Sequence, residues 1–439
     1  MGAAYRIVSD TGSSAHHGEN IFKFISVNAC GPYRIPNVKV DTLVYYTNAM
    51  AMGAMRSWGM PGITFANETM INLAAAELGM DPLKLRRLNG VTDGDRTLSG
   101  VPVPRSARFI ECLDGMEKVP LTETGVLSPR YRYGVGYAAG AQGCNLHFGH
   151  PDESTVRLRV GTGGEIYIEV AANDLGQGLE TTLDLIVSRV LDNYFIKKIH
   201  YLRPISDYPV GGPTGASRQT TLTGNAAYLA AVKLKEEIKK RCGGQMPGDL
   251  AAWLMANGEG IGVVGTFMAP LTSDPDKDGQ GLPVNQYAYG IQRAEVSVDM
   301  DTGIVRVLRI VEVCDCGEVI NHIGAEGQVQ GAIGQNLGMA LMEEFQQKNG
   351  KPVQRGFSEY LFPTAVDTPP IDVMFVDQPA ELGYLHVKGM AELSTTFTAP
   401  AIVAAIHDAA GVWIGTLPAT PERVLAALTR KEAMKCSQS

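Results

Sequence analysis

Four stretches of this sequence carry residues that could do chemistry. Asp174-Leu-Gly-Gln-Gly178, Gly211-Gly-Pro-Thr-Gly-Ala-Ser-Arg-Gln-Thr-Thr221 and Gly324-Ala-Glu-Gly-Gln-Val-Gln-Gly331 each set neutral donors among glycines just before a helical run, or opening one. Free backbone N–H groups at a helix start, with Gln, Ser or Thr beside them, suit an anionic or polyoxygenated ligand. One such loop is an ordinary helix cap; three in one chain favour a shared ligand. The fourth stretch, Lys388-Gly-Met-Ala-Glu392-Leu-Ser-Thr, places a carboxylate among small and apolar residues. Partial desolvation there would raise its pKa toward the range of a general base. A surface glutamate near a helix start gives the same pattern, so spacing alone leaves both open.

Other motifs carry less. Gly134-Val-Gly136-Tyr-Ala-Ala-Gly140 has G-x-G-x-x-x-G spacing and lacks the acidic residue of a dinucleotide site, so a glycine-rich strand is the simpler expectation. His147-Phe-Gly-His150 on a strand would point its two rings to opposite faces, with no third ligand in view. The seven cysteines are dispersed, odd in number and without a C-x-x-C pair, which argues against a disulfide framework, a zinc ribbon or an iron–sulfur set. Cys314-Asp-Cys316 reads as two residues on one face of a strand. No G-x-S-x-G elbow, Walker loop or H-E-x-x-H occurs.

The elements that must position these residues follow from patterning. Phe65 to Leu78 has helical spacing and stops at Gly79, and Asp81-Pro82 opens a second short helix through Leu88. Pro102 to Pro104 and Glu117 to Pro129 read as a connection between lobes. Val156, Leu158 and Val160, a Gly161–Gly164 turn, and Ile166, Ile168 and Val170 form a hairpin, followed by a helix from about Leu179 to Leu191. A second unit repeats the scheme. A helix spans Ala226 to Ile238, a hairpin turns at Asp301-Thr-Gly303, and a helix runs from about Gly327 to Glu343; Pro400–Ala409 and Pro421–Leu428 are helical as well. Hairpin-then-helix occurring twice predicts an α+β chain with two similar lobes facing one another.

The 439 residues, 45% hydrophobic and 19% charged, exclude disorder and allow two to four domains. The net charge of −8 disfavours a nucleic-acid partner. No apolar run approaches the ~18–20 residues of a membrane span, and no signal-peptide pattern opens the chain, so a soluble cytoplasmic protein is expected.

Taken in order, Gly31-Pro-Tyr-Arg-Ile-Pro-Asn37, Tyr46-Thr-Asn48, Ala54-Met-Arg56-Ser-Trp-Gly59, Asp81-Pro82 with Arg86 and Asn89, Gly176-Gln-Gly178, Ala216-Ser-Arg-Gln-Thr220, Glu326-Gly-Gln328 and Gly389-Met-Ala-Glu392 resemble the molybdenum-cofactor subunit of the xanthine oxidase family. The likeness runs from about Tyr5 to Leu428 and is nearest to the aldehyde oxidoreductase branch around Gly215–Gly224. It implies two cofactor-binding lobes, with residues 1–128 the end of the first and 129–439 the second. It also implies a molybdenum held by a pyranopterin, with the cytosine dinucleotide form usual in bacteria, a terminal sulfido or selenido ligand and no metal ligand from the protein. Glu392 would be the base, deprotonating a metal-bound hydroxyl oxygen as it attacks an electron-poor carbon. Gln177, flanked by Gly176 and Gly178, would hydrogen-bond the cofactor beside the metal. Ala216, Ser217, Gln219 and Thr220 would cradle the pterin and its phosphates, and Gln328 would add a pterin contact. Arg56 would lie by the metal and shape the substrate pocket, with Trp58 where an aromatic residue stacks on substrate.

The implied activity is oxidation of an N-heteroaromatic ring, purine or nicotinate-like, or of an aldehyde, with water as oxygen donor. Phe24 or Lys23 replaces the arginine of the purine enzymes, which weakens a strict xanthine assignment. The glycine-rich loop of the family's N-terminal half is missing. Either the subunit is naturally split or the chain is a fragment; a companion chain carrying that half is expected, with an iron–sulfur subunit and a flavin subunit (FAD) to take electrons from the small-molecule substrate. A non-catalytic scaffold subunit of the same complex is the alternative, and a nicotinamide-binding dehydrogenase built on Gly134–Gly140 a third class.

Overall fold

The computed structural model describes residues 2–123, 128–192, 199–202 and 209–438. The chain opens with β1 (Gly2–Asp10), α1 (Gly18–Val27) and β2 (Asn37–Tyr45), the two strands pairing in parallel. Three helices follow, α2 (Met60–Leu78), α3 (Pro82–Asn89) and α4 (Phe109–Glu117). The Asp81 carboxylate caps α3 by accepting from Lys84 N at 2.8 Å, and Gly79 ends α2 in the left-handed region, as the sequence suggested. The long strand β3 (Tyr131–Cys144) comes next, and a complete α/β unit is inserted before its partner.

That inserted unit comprises β4 (Glu153–Val160), β5 (Ile166–Glu169), α5 (Leu179–Val190), β6 (Ile199–Leu202), α6 (Gln219–Arg241), α7 (Leu250–Asn257) and β7 (Gly262–Met268). Its sheet runs β6-β5-β4-β7. Val156, Leu158, Ile166 and Ile168 alternate along β4 and β5 and bury one face under Leu183 and Ile186 of α5 and Leu222 and Ala226 of α6. The outer unit resumes with β8 (Gln286–Asp299), β9 (Val305–Asp315) and α8 (His322–Leu341). A small ladder, β10 (Gln347–Lys348) with β11 (Lys351–Pro352), leads to β12 (Ile371–Phe375), a 3-10 turn at Ser394–Thr396, α9 (Thr398–Ala410) and α10 (Pro421–Gln438).

The second sheet runs β12-β9-β8-β3, and its pairings match those of the first: one parallel edge, then two antiparallel ladders. The fold is mixed α/β with two similar lobes. In both lobes an alanine-rich helix lies at backbone distance from an edge strand. A Cβ on Gly136 of β3 would stand 2.2 Å from Ala401 O of α9, and one on Gly265 of β7 2.2 Å from Ala226 O of α6. The Gly134–Gly140 motif is thus a packing face. Gly136→Ala is expected to lower the unfolding free energy by about 3 kcal/mol in urea denaturation; an unchanged midpoint would refute this reading of the contact.

The β3-β8-β9 sheet is buried on both faces. Ala139, Tyr289 and Val311 face Phe24, Phe109 and Leu113 from the N-terminal helices, while Ala138, Ala288 and Ile310 face α8 and α9. Several expectations need correction. α2 begins at Met60 rather than Phe65, α6 at Gln219 rather than Ala226, and α8 at His322 rather than Gly327. Gln328 therefore sits on the second turn of α8, and Gln219 and Thr220 on the first turn of α6. Residues 124–127 of the predicted lobe connection lie outside the described residues. No helix among the described residues is long and apolar enough to cross a membrane.

Candidate active site

The segment 385–393 crosses from one lobe to the other. Leu385 and Val387 belong to the core of the inserted unit, and Met390 and Leu393 to that of the outer one. Lys388 N donates to Cys316 O at 2.8 Å, and Cys144 Sγ donates to Gly389 O at 2.7 Å. Lys388 itself is buried against Asp315. This tether places Glu392 on the wall of a cleft of about 1100 Å3 between the lobes.

Two other segments converge on that carboxylate. Ser217 Oγ donates to Glu392 Oε2 at 2.7 Å, and Ser57 N donates to Oε1 at 3.3 Å. Ser57 Oγ also reaches Glu392 O and Thr395 Oγ1 in very short contacts. Glu392 is partly exposed by surface area, but little solvent reaches the carboxylate itself. Burial pushes its pKa above the ordinary carboxylate range, opposed by the Ser217 hydroxyl, the Ser57 N–H and the Arg56 guanidinium.

Each supporting loop is built for its task. Ala216 and Ser217 hold φ of 52° and 51°, a conformation that L residues rarely adopt, so surrounding bonds must enforce it. Asn145 N donates to Ala216 O at 2.9 Å. The fully buried Arg218 donates to Asp152 at 2.6 Å, Gly211 O at 2.7 Å, Glu153 O at 2.9 Å and Pro213 O at 3.0 Å. Gly389 lets the two segments touch, because a Cβ there would stand 2.1 Å from Ser217 O. On the other side Ser57, Trp58 and Gly59 are three successive left-handed residues. Arg56 is fixed by Ala391 O at 2.6 Å, Gln328 O at 3.0 Å, Gln328 Oε1 at 3.2 Å and Gln335 Oε1 at 3.3 Å.

All the residues singled out from sequence line this cleft except Gly178, whose φ of 82° starts α5 beside it. Two of the amides are turned inward. Gln177 accepts from Leu175 N at 2.5 Å and donates to Asn173 O at 3.1 Å, and Gln219 donates to Pro213 O and Thr214 Oγ1 at 3.1 Å. His147 and His150 lie past the end of β3 rather than on it, and both face the cleft. Sequence reasoning gave no role to Ser57 or Thr395, and placed Ser217 on the cofactor rather than on Glu392. A hydroxyl next to Arg56 was the only available signal. Behind the site, Glu312 is fully buried, accepting from Ser394 Oγ and Gln292 Nε2 at 2.6 Å, and burial pushes its carboxyl up to about 7. Among the described residues no cluster of three or more His, Cys, Asp or Glu could hold a metal ion.

Ser217→Ala removes a donor that favours the ionised carboxylate, so Glu392 should titrate higher still. The carboxylate band of Glu392 in an infrared pH titration is expected to appear at higher pH in Ser217→Ala than in the parent protein. An unmoved titration would remove Ser217 from this role.

A two-lobed α/β fold with a desolvated carboxylate in the interlobe cleft, ringed by helix starts and neutral donors, is the architecture of a cofactor-binding domain. The chain belongs to the molybdopterin cofactor-binding domain family, which it matches over residues 121–369 and, in a second such domain, over residues 1–90. It is similar to the aldehyde oxidoreductase of Megalodesulfovibrio gigas, 32% identical over 90% of this chain and 44% of that protein. A probable xanthine dehydrogenase subunit of Bacillus subtilis (strain 168) is 29% identical over 97% of this chain and 60% of its own length. The aldehyde oxidoreductase structure from Desulfovibrio desulfuricans ATCC 27774 superposes with a TM-score of 0.83 at 28% identity, covering 96% of this chain and 47% of that one. The chain thus spans about half the length of the relatives it matches.

Proposed function

We propose that this chain is the molybdenum-cofactor-binding catalytic subunit of a multi-subunit hydroxylase or dehydrogenase. It would oxidise an N-heteroaromatic ring or an aldehyde with water as the oxygen source. One observation carries the reading: Glu392, partly desolvated and held by two hydrogen bonds, stands in the cleft where the family's cofactor loops meet. The cleft fits the group. Asp174 caps α5 and Asn321 caps α8, whereas α6 starts at the cleft with no side-chain cap, leaving its first N–H groups for a phosphate.

Thr220, Gln328 and the start of α6 would hold the pterin and its diphosphate, in the cytosine dinucleotide form. Ala216, Gln219 and the Gly176-Gln177-Gly178 loop would shape that wall, with residues 1–128 belonging to a first cofactor-binding domain and 129–439, which holds both lobes of the cleft, to a second. Bound there, the molybdenum centre, with its sulfido or selenido ligand, would supply the oxygen and take two electrons from substrate. Glu392 would accept the proton that water must lose in the reaction, its Oε2 held in direction by the Ser217 hydroxyl. Arg56 fixes Ala391, and with it the direction of the carboxylate. Trp58 offers a flat face to a planar substrate. Partner chains carrying iron–sulfur clusters and FAD would take the electrons onward.

Metal and pterin analysis of the complex, purified with all its subunits from the cytoplasmic fraction, tests this. One molybdenum and one pterin per chain is the expected result. Their absence would leave a scaffold subunit instead.

A further inference from the structure

At the end of β3, three buried polar atoms have no partner: Gln142 Oε1 and His147 Nε2, whose residues line the cleft, and Asn145 Oδ1 behind it. Unpaired buried polar atoms are rare, and each calls for a reason. In the two amides the donor half is committed and the acceptor is left. Gln142 Nε2 donates to Gly143 O at 3.3 Å. Asn145 Nδ2 donates to Asn285 Oδ1 at 3.0 Å. Asn285 and Gln286 are themselves fixed by donating to Pro270 O and Val387 O, so the orientation of the Asn145 amide follows from theirs. Burial pushes His147 down to about 3, so its ring is neutral, and its Nε2 has no partner in the structure.

Gln142 and His147 both line the cleft, and the surroundings are aromatic. The Phe24 ring stacks on His147 at 4.5 Å, with Trp58 and Phe148 each 5.9 Å from it. The arginines and lysine of the cleft are already engaged: Arg56 by Ala391 and Gln328, Arg218 by Asp152, Lys388 by Asp315. A substrate carboxylate would meet acceptors here. A ring with N–H donors on its edge would satisfy them.

Resting on the function proposed above, we propose that Gln142 and His147 are specificity-determining residues, an acceptor edge that selects planar heteroaromatic substrates carrying N–H donors over donorless rings and anionic ones. The molybdenum-loaded complex is assayed with hypoxanthine, which carries ring N–H donors, and with quinoline, which has none. In His147→Phe and in Gln142→Leu the ratio of kcat/KM for hypoxanthine to that for quinoline is expected to fall about 10–100-fold, mainly through KM. His147→Gln, which keeps an acceptor, should recover most of it. An unchanged ratio overturns the proposal. So does loss of bound pterin in these variants, read by the fluorescence of the released, oxidised pterin, since the acceptors would then serve the cofactor.

Binding separates this idea from the catalytic assignment. Calorimetry on the Glu392→Gln complex should show hypoxanthine preferred over quinoline, with the preference lost on adding His147→Phe. Equal affinity for the two compounds, or a preference that survives His147→Phe, overturns the acceptor edge whatever the fate of Glu392 as base.

Discussion

Glu392→Gln in the cofactor-loaded complex is expected to lower turnover about 10³–10⁴-fold while leaving fold, molybdenum and pterin content intact. Glutamine keeps the shape and one oxygen to accept from Ser217 or Ser57, so the two hydrogen bonds that aim the side chain need not both be lost. What it cannot do is take a proton at that oxygen. Because burial raises the carboxyl above its ordinary range, Glu392 is protonated at a higher pH than a solvent-exposed glutamate. Activity should fall as the pH drops through that raised value, and this acid limb should vanish from the residual rate of Glu392→Gln. Turnover within ten-fold of wild type would sink the assignment.

The second large effect concerns Lys388, four residues earlier and also lining the cleft. Its Nζ donates to Asp315 and to Ser106 O, with the ion pair fully buried and the Tyr289 ring 5.7 Å away. Burial raises the Asp315 pKa, and Lys388 opposes that rise. Lys388→Met strands the carboxylate in the low-dielectric seam between the lobes and should cost about 3–5 kcal/mol in urea denaturation. Adding Asp315→Asn removes the uncompensated charge and should recover part of that loss. A single variant within about 1 kcal/mol of wild type would show that the pair is not holding the 385–393 crossing in place.

Local patterning was legible throughout the two lobes. The alternation of Val156, Leu158, Ile166 and Ile168 predicts the first hairpin, and the Asp301-Thr-Gly303 turn the second. The Asp81 cap predicts α3. The early ends of α2, α6 and α8 were not legible, because those turns carry Thr, Gly and Asn in place of an amphipathic stripe, buried on several sides in α6 and largely exposed in α8. In α6 alone, Thr221, Thr223, Gly224 and Asn225 are all buried. Nor were the left-handed Ser57, Trp58, Ala216 and Ser217, since nothing in a Ser, Trp or Ala marks a conformation imposed from outside.

From the sequence alone come the strand and helix periods, the glycine-flanked donor loops, and a carboxylate in an apolar run that resembles one cofactor-binding family. Those are short-range properties, set by neighbours along the chain. Whether the Glu392 carboxylate is exposed or desolvated is decided by segments far off in the chain, Ser217 and Ser57 lying 175 and 335 positions away. The same holds for the unpaired acceptors of Gln142 and His147. Only packing the N-terminal segment and the two lobes together removes water from these groups, and with it the alternative partners that would have kept their chemistry ordinary.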